Sequence, residues 1–142
     1  MNRPVVDQME ACVKRRVTAG TNAVQIAQAV AASCRDVELA LTPIIGSRGV
    51  AALFRRCLFL TVRTHAWLGV TSDSDEGAFV ATSLQAALAG RSGVEAATAG
   101  LLFLSTFDAL LVSLIGASLT ERLIDPVWTT FLRTPPVLDP AS

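Results

Sequence analysis

Residues 92–116 decide the fold of this chain, and they read SGVEAATAGLLFLSTFDALLVSLIG. Ser92 followed by Glu95 is typical of the start of a helix, and Gly116 is typical of its end. The residues between them are apolar on almost every side of the predicted helix, which carries one carboxylate, Asp108, in its middle. Such a helix has to be enclosed by other helices, by a second copy of the chain or by lipid.

Asp108 points toward the apolar side of this helix when the residues are placed at helical spacing. An unpaired carboxylate in that position is costly, so the sequence predicts that it is protonated or paired. Three partners are open: an arginine from another helix, His65, or the backbone amides at the start of a helix. We expect a buried or interfacial ion pair, and the alternative is a polar anchor for a ligand in an apolar pocket.

The same segment is long enough to span a membrane. However, a carboxylate near the centre of a span raises the cost of insertion by about 2.5–3.5 kcal/mol. Ser92 with Glu95 and Ser118 with Glu121 are capping pairs that suit water, and basic or aromatic belts do not flank both ends. We therefore expect a core helix in a cytoplasmic protein that does not associate with membranes.

The composition favours one domain with surplus apolar surface. The chain has 142 residues, of which 51% are hydrophobic and 17% are charged, and such a surplus usually lies in a subunit interface or a pocket. The net charge is zero, so nucleic acid is not favoured as a partner. Arginine supplies all the basic residues except Lys14, which suggests a bacterial source.

Cysteine and histidine do not form a ligand set in this sequence. Cys12, Cys34 and Cys57 are far apart and lack the close spacing of a metal site, so we expect small buried side chains in a reducing cytoplasm. One histidine cannot complete a metal site with them. No metal and no cofactor are therefore expected.

Apolar periodicity predicts an all-α helical bundle over residues 1–133. Five main helices are expected, followed by one or two short ones between residues 118 and 132. The last of these should begin at Pro126, because proline suits the first turn of a helix. Their approximate ranges are 5–18, 22–42, 48–68, 75–89 and 93–115. Pro43 should end the second helix, because the residue before proline avoids helical angles, and the prolines of residues 134–142 predict a disordered tail. No internal repeat is evident.

Four arginines of the third predicted helix fall within an arc of about 100°. They are Arg48, Arg55, Arg56 and Arg63, and Phe59 projects into the same arc. A solvated face is the ordinary explanation. A phosphate, a nucleotide or an acidic partner helix is the alternative, because guanidinium groups bind carboxylates and phosphates in pairs of hydrogen bonds. A phenylalanine among arginines favours an interface.

His65 falls at the edge of the apolar side of the same helix. The ordinary explanation is a half-buried histidine bonded to a carbonyl or a hydroxyl. The chain also resembles histidine phosphotransfer domains in size and helical architecture, but residues 65–69 read HAWLG and lack the expected lysine. A third hypothesis makes His65 an axial haem ligand in a globin-like domain, although no second histidine and no tyrosine is available opposite it.

The sequence contains no recognisable enzyme motif, so we expect a non-enzymatic regulatory or protein-interaction domain in bacterial signalling. An apolar groove would bind a partner helix or a small ligand, and Arg55, Arg56 and Arg63 would add charge recognition. We also expect a homodimer, the commonest assembly, with Phe59 and its arginines or the long apolar helix as the available faces. The alternatives are phosphotransfer through His65 and a sensor for an anionic small ligand that uses the same arginines.

Overall fold

The structure, a computed structural model, describes residues 3–68 and 77–133. This part of the chain consists of α-helices and one 3-10 turn, with no strand, which confirms the all-α prediction. The helices are α1 Pro4–Thr18, α2 Ala23–Val62, α3 Gly77–Ala89, α4 Gly93–Ile115 and α5 Ala117–Arg133, and the 3-10 turn is Ala66–Leu68. The expected tail at 134–142 and the expected helix start at 75 lie outside the described residues.

Side-chain caps begin α2 and α4 where the sequence predicts them. The side chain of Asn22 accepts a hydrogen bond from the backbone amide of Gln25 at 2.9 Å, and the amide of Asn22 donates to the Gln25 side chain at 3.1 Å. The hydroxyl of Ser92 accepts from the amide of Glu95 at 3.1 Å. Each cap satisfies amides that have no partner within the helix.

Two prolines lie inside helices, contrary to the prediction that they mark helix boundaries. Pro43 stands within α2, and the break comes at Gly46, which has φ 80° and ψ 161°. Proline removes the amide that would bond to the carbonyl four residues earlier, here Leu39. Both residues are exposed, so water can hydrate that carbonyl. Pro126 likewise lies inside α5, so one helix replaces the short helices expected there.

Two other predicted boundaries are wrong. The helix expected to reach residue 68 ends at Val62, and the amides of Thr64 and His65 then donate to the carbonyl of Thr61 at 3.1 and 3.0 Å. At the other end of the chain, Ser118 is not a cap, because α5 begins directly after Gly116. His65 therefore lies in a turn and not on a helix.

The chain contains two helix pairs with the same outline, 70 residues apart. The caps Asn22 and Ser92 correspond, and so do Gly46 and Gly116, which share nearly the same backbone angles (φ 80°, ψ 161° and φ 87°, ψ 160°). We call residues 23–62 the first hairpin and residues 93–133 the second hairpin. Buried positions correspond as well: Ile26 with Ala96, Ala27 with Ala97, Ala31 with Leu101, Cys34 with Leu104, Val37 with Phe107, and Leu41 with Leu111. The residue types differ, which hides the repeat in the sequence.

The first arm of α2 (23–45) and α4 lie side by side and run in the same direction. The carbonyl oxygen of Thr21 is 3.2 Å from the point where Gly93 would carry a Cβ atom. A methyl group of Val30 is 2.9 Å from the corresponding point on Gly100. The glycine at position 100 therefore permits the close approach of these two helices.

The second arm of α2 (47–62) returns along α4 in the opposite direction. The ring of Phe54 lies 5.1 Å from that of Phe107 and 6.4 Å from that of Phe103. One turn further on, the thiol of Cys57 donates to the carbonyl of Phe103 at 3.1 Å. The chain direction thus reverses at Gly46. The contacts of Phe54 with Phe103 and Phe107 fill the centre of the core with aromatic rings.

Each hairpin is covered by the helix that precedes the other hairpin. α1 packs against α4 and α5, whereas α3 packs mainly against α2. The two halves therefore exchange their first helices around one core. α2 and α4 also have the length and apolar composition of a membrane-crossing helix, but in this structure Phe103, Leu104 and Phe107 of α4 are buried in protein.

Replacing Gly46 or Gly116 by alanine should lower the free energy of unfolding by about 1–3 kcal/mol, because only glycine adopts such angles without strain. Gly90→Ala is the matched control, since its Cβ would meet only the carbonyls of Ala86 and Ala87 at 3.8 Å. Urea denaturation measures all three. Equal stability of the three variants would show that the two reversals do not require glycine.

Candidate functional site

Asp108 is buried and paired, as the sequence predicts, and its partner is Arg3. Asp108 is 3% exposed. Nε of Arg3 donates to its Oδ2 at 3.0 Å, and Nη2 of Arg3 contacts its Oδ1. The indole Nε1 of Trp128 donates to the same Oδ1 at 2.9 Å. Since Arg3 precedes α1 and Trp128 belongs to α5, one carboxylate on α4 links three helices.

Arg3 also pairs with a second carboxylate. Its Nη2 lies 2.7 Å from Oδ1 of Asp125. Hydrogen bonding to Asp108 raises the pKa of the Arg3 guanidinium, burial opposes that rise, and hydrogen bonding to Asp125 adds to it. We call Arg3, Asp108, Asp125 and Trp128 the Arg3 cluster. We assign it a structural role, because Arg3 and Trp128 donate hydrogen bonds to the buried carboxylate of Asp108.

A cleft of about 420 Å³ lies between α1 and α4. Its walls come from one face of each helix and its end from the turn after α2. The lining residues are Val6, Glu10, Val13, Lys14, Thr64, His65, Ala97, Thr98, Leu101, Leu102 and Ser105. We call it the α1–α4 cleft. Its volume falls in the range of small-molecule sites.

Large apolar side chains line the cleft where the first hairpin has small ones. Leu101 and Leu102 of α4 line the cleft, and the corresponding residues of α2 are Ala31 and Ala32. The two hairpins therefore differ in side-chain size at this place.

α1 is tied down at both ends and faces the cleft along its middle. At its start, Arg3 binds Asp108. Near its end, Nη2 of Arg16 donates to the carbonyls of Phe131 and Leu132 at 3.1 and 3.3 Å. The side chains between these ties are the ones that line the cleft. A bound molecule would therefore contact α1 between its two ties.

Polar groups lie at the margins of the cleft. Lys14 and Glu10 form an exposed ion pair at 3.1 Å. The hydroxyls of Thr98 and Ser105 donate to carbonyls of their own helix at 2.9 and 3.1 Å. Within the described lining we find no nucleophile bonded to a base, the arrangement on which covalent catalysis depends. The cleft is suited to binding an apolar body with a polar end.

His65 closes one end of this cleft. It is half-buried, and its ring meets the edge of the Trp67 ring at 5.8 Å. The guanidinium group of Arg91 lies over the Trp67 ring, with its carbon 4.5 Å from the ring centroid. A phosphotransfer histidine is expected on an open helix surface, and this turn does not provide one. The contacts favour a positioning role in the cleft.

The predicted arginines and Phe59 lie together along the second arm of α2, with Arg63 just after its last residue. All five side chains are exposed, and Phe59 is 55% exposed. The guanidinium carbons of Arg56 and Arg63 lie 5.6 and 5.1 Å from the centroid of its ring, within the range of cation–π contacts. We call Arg48, Arg55, Arg56, Phe59 and Arg63 the arginine face.

The residues proposed from the sequence thus occupy three places: Asp108 in the Arg3 cluster, His65 in the cleft, and the others on the arginine face. Sequence reasoning missed Arg3, because it lies before the first periodic residue of α1. It also missed the leucine pair, which resembles ordinary core residues until the two hairpins are compared.

The cysteines are buried, as expected. Burial raises the pKa of the Cys34 thiol to about 12 and that of Cys57 well above its usual value. Both therefore remain thiols at neutral pH and are poor nucleophiles. In the stretches 3–68 and 77–133, no group of three metal-ligating side chains comes together.

Comparisons with protein-family models, with curated proteins and with solved structures found no match. The function therefore has to be argued from the geometry of this chain.

Asp108→Leu should lower the free energy of unfolding by about 3–5 kcal/mol, because it leaves Arg3 desolvated beside fewer charges. Adding Arg3→Met to that variant should recover part of the loss, since an apolar pair can replace a buried ion pair. Guanidinium denaturation of parent, single and double variants gives the comparison. A double variant less stable than Asp108→Leu alone would contradict the pairing.

Proposed function

We propose that this protein is a non-enzymatic regulatory binding domain of bacterial cytoplasmic signalling, a helical bundle that takes a small, mostly apolar ligand in the α1–α4 cleft. The observation that carries the proposal is the cleft itself, about 420 Å³ between α1 and α4. Apolar walls with a few polar groups at the margin are the usual composition of small-molecule sites.

The regulatory part of the proposal rests on α1. Its two ends are held by Arg3 and Arg16, and residues of its middle line the cleft. A ligand that fills the space adds contacts along Val6 and Val13. Occupancy would then stabilise one position of α1 relative to α4, and a ligand shifts an equilibrium only by such differential contacts.

A ligand is favoured over phosphotransfer at His65 for a geometric reason. The imidazole is half-buried beside Trp67 and lines the end of the cleft. A phosphoryl donor would need open access to the same ring. The anionic-ligand alternative concerns the arginine face and is a separate question.

The neutral fluorophore N-phenyl-1-naphthylamine tests the cleft, because it is apolar and carries no charge for the arginines. We expect saturable binding with a blue-shifted emission. Ala97→Phe fills the cleft and should weaken binding at least about tenfold, the effect of losing about 1.4 kcal/mol. Ala109→Phe is the matched control, since residue 109 is exposed on the same helix.

Unchanged binding by the control and weakened binding by Ala97→Phe would support the cleft as the site. Equal titration curves for the parent and Ala97→Phe, with both variants folded by circular dichroism, would refute it. Absence of any saturable binding by the parent would refute it too.

The expected homodimer is also part of the proposal, and we assign it to the end of the molecule where both hairpins reverse. Ile44 and Leu114 occupy corresponding positions, each two residues before its glycine, and they are 54% and 60% exposed. Exposed apolar side chains at corresponding positions suit a two-fold interface.

Sedimentation velocity should show a concentration-dependent dimer that Ile44→Glu/Leu114→Glu converts to a monomer, because carboxylates are not tolerated in an apolar contact. Phe59→Glu should leave the dimer intact. A monomeric parent, or dissociation by Phe59→Glu instead, would contradict this assignment.

A further inference from the structure

The arginine face has no role in the cleft, and we propose that it binds an acidic α-helix of a protein partner. Its guanidinium groups would pair with carboxylates spaced seven residues apart, and Phe59 would pack against an apolar side chain of the same helix. The proposal is independent of the ligand proposed for the cleft.

Positive charge is concentrated on and around the arginine face. The sequence contains no aspartate or glutamate from residue 39 to residue 72, whereas the whole chain has a net charge of zero. Among the residues that the structure describes, no carboxylate lies within 4 Å of the guanidinium groups of Arg48, Arg56 or Arg63. A concentrated positive charge of this kind attracts and orients an acidic partner.

The spacing of the arginines suits a helical partner. Arg48 and Arg55 are seven residues apart, and so are Arg56 and Arg63, which places charges at intervals of about 10.5 Å along the helix. Two packed helices match such intervals residue by residue, because contacts between them recur every seven residues. The interval therefore suits a partner helix.

The exposed ring of Phe59 is in contact with two of the arginines. Its ring is more than half exposed, yet Arg56 and Arg63 lie over it at 5.6 and 5.1 Å. These contacts hold the ring in place before a partner arrives, which lowers the entropy cost of binding. An aromatic side chain surrounded by arginines has the composition of an interface hot spot.

The duplicated fold supplies an internal comparison. The positions on α5 that correspond to Arg48, Arg55, Arg56 and Phe59 hold Ser118, Asp125, Pro126 and Thr129, whereas Arg63 corresponds to another arginine, Arg133. The corresponding helix thus carries one of the four arginines. The other three are not needed by the shared outline, and a binding role explains why they are collected on one arm.

The test uses a labelled alanine-based helical peptide of about three heptads, with glutamate at every seventh position and leucine on the same face. Fluorescence anisotropy should show saturable binding that weakens as salt is raised, because the contacts are charged and exposed. A peptide with glutamine at those positions should bind at least about tenfold more weakly.

Arg56→Gln/Arg63→Gln and Phe59→Ala should each weaken binding of the glutamate peptide about tenfold, as expected for central interface residues. Arg122→Gln/Arg133→Gln is the matched control, since it removes two exposed arginines from α5 and should change affinity less than about twofold.

Three results would overturn the proposal. The first is equal binding of the glutamate and glutamine peptides, or none by either. The second is tighter binding of a single-stranded oligonucleotide or a phosphatidylserine vesicle that is lost in Arg56→Gln/Arg63→Gln. The third is a rise of more than about tenfold in peptide affinity in Asp73→Asn/Asp75→Asn/Glu76→Gln, which would make the chain's own acidic segment the occupant.

Discussion

The pairing of Arg3 with Asp108 is the interaction on which the rest of the structure depends. Much of α4 is enclosed by protein, and a carboxylate in its middle is tolerated only with a charged partner and a full set of hydrogen bonds. Arg3 and Trp128 supply both. Because the arginine lies just before α1, neutralising the carboxylate also fixes where α1 begins on α4. Burial of one charge thus determines the position of a whole helix.

The duplication shows how a single backbone plan acquires two different surfaces. Both hairpins have a capped helix, a glycine reversal and a returning helix. Leu101 and Leu102, which line the cleft, stand where the first hairpin has alanines. Arg48, Arg55 and Arg56 stand where the second hairpin has serine, aspartate and proline, and they give α2 a positive surface. Side-chain size and charge therefore differ between two hairpins of the same outline.

Much of the fold follows from local signals in the sequence. The limits of α4, the caps Asn22 and Ser92 and the burial of Asp108 all follow from residue type and spacing. The wrong boundaries at Pro43 and Pro126 have a common cause: an exposed helix edge lets water satisfy the carbonyl that proline abandons. Local sequence does not report whether that edge will be exposed.

The site was predictable only in part, for a related reason. The arginine face is a property of one helix, so its periodicity predicts it. The cleft and the partner of Asp108 depend on how distant segments pack, and Arg3 is 105 residues from Asp108. No pattern within a single helix records such a distance. The internal comparison of the hairpins carries that information, but it requires the structure to reveal the correspondence.

The exchange of first helices has a consequence for how the protein is made. The first hairpin leaves the ribosome with α1, yet the helix that covers it is α3, and α1 belongs on α4 and α5. Contacts between such distant segments form only after the intervening chain has been synthesised, which slows folding and leaves apolar surface exposed meanwhile. The core of the nascent chain therefore cannot close before α5 has been synthesised. Until then, its apolar surface is accessible to chaperones.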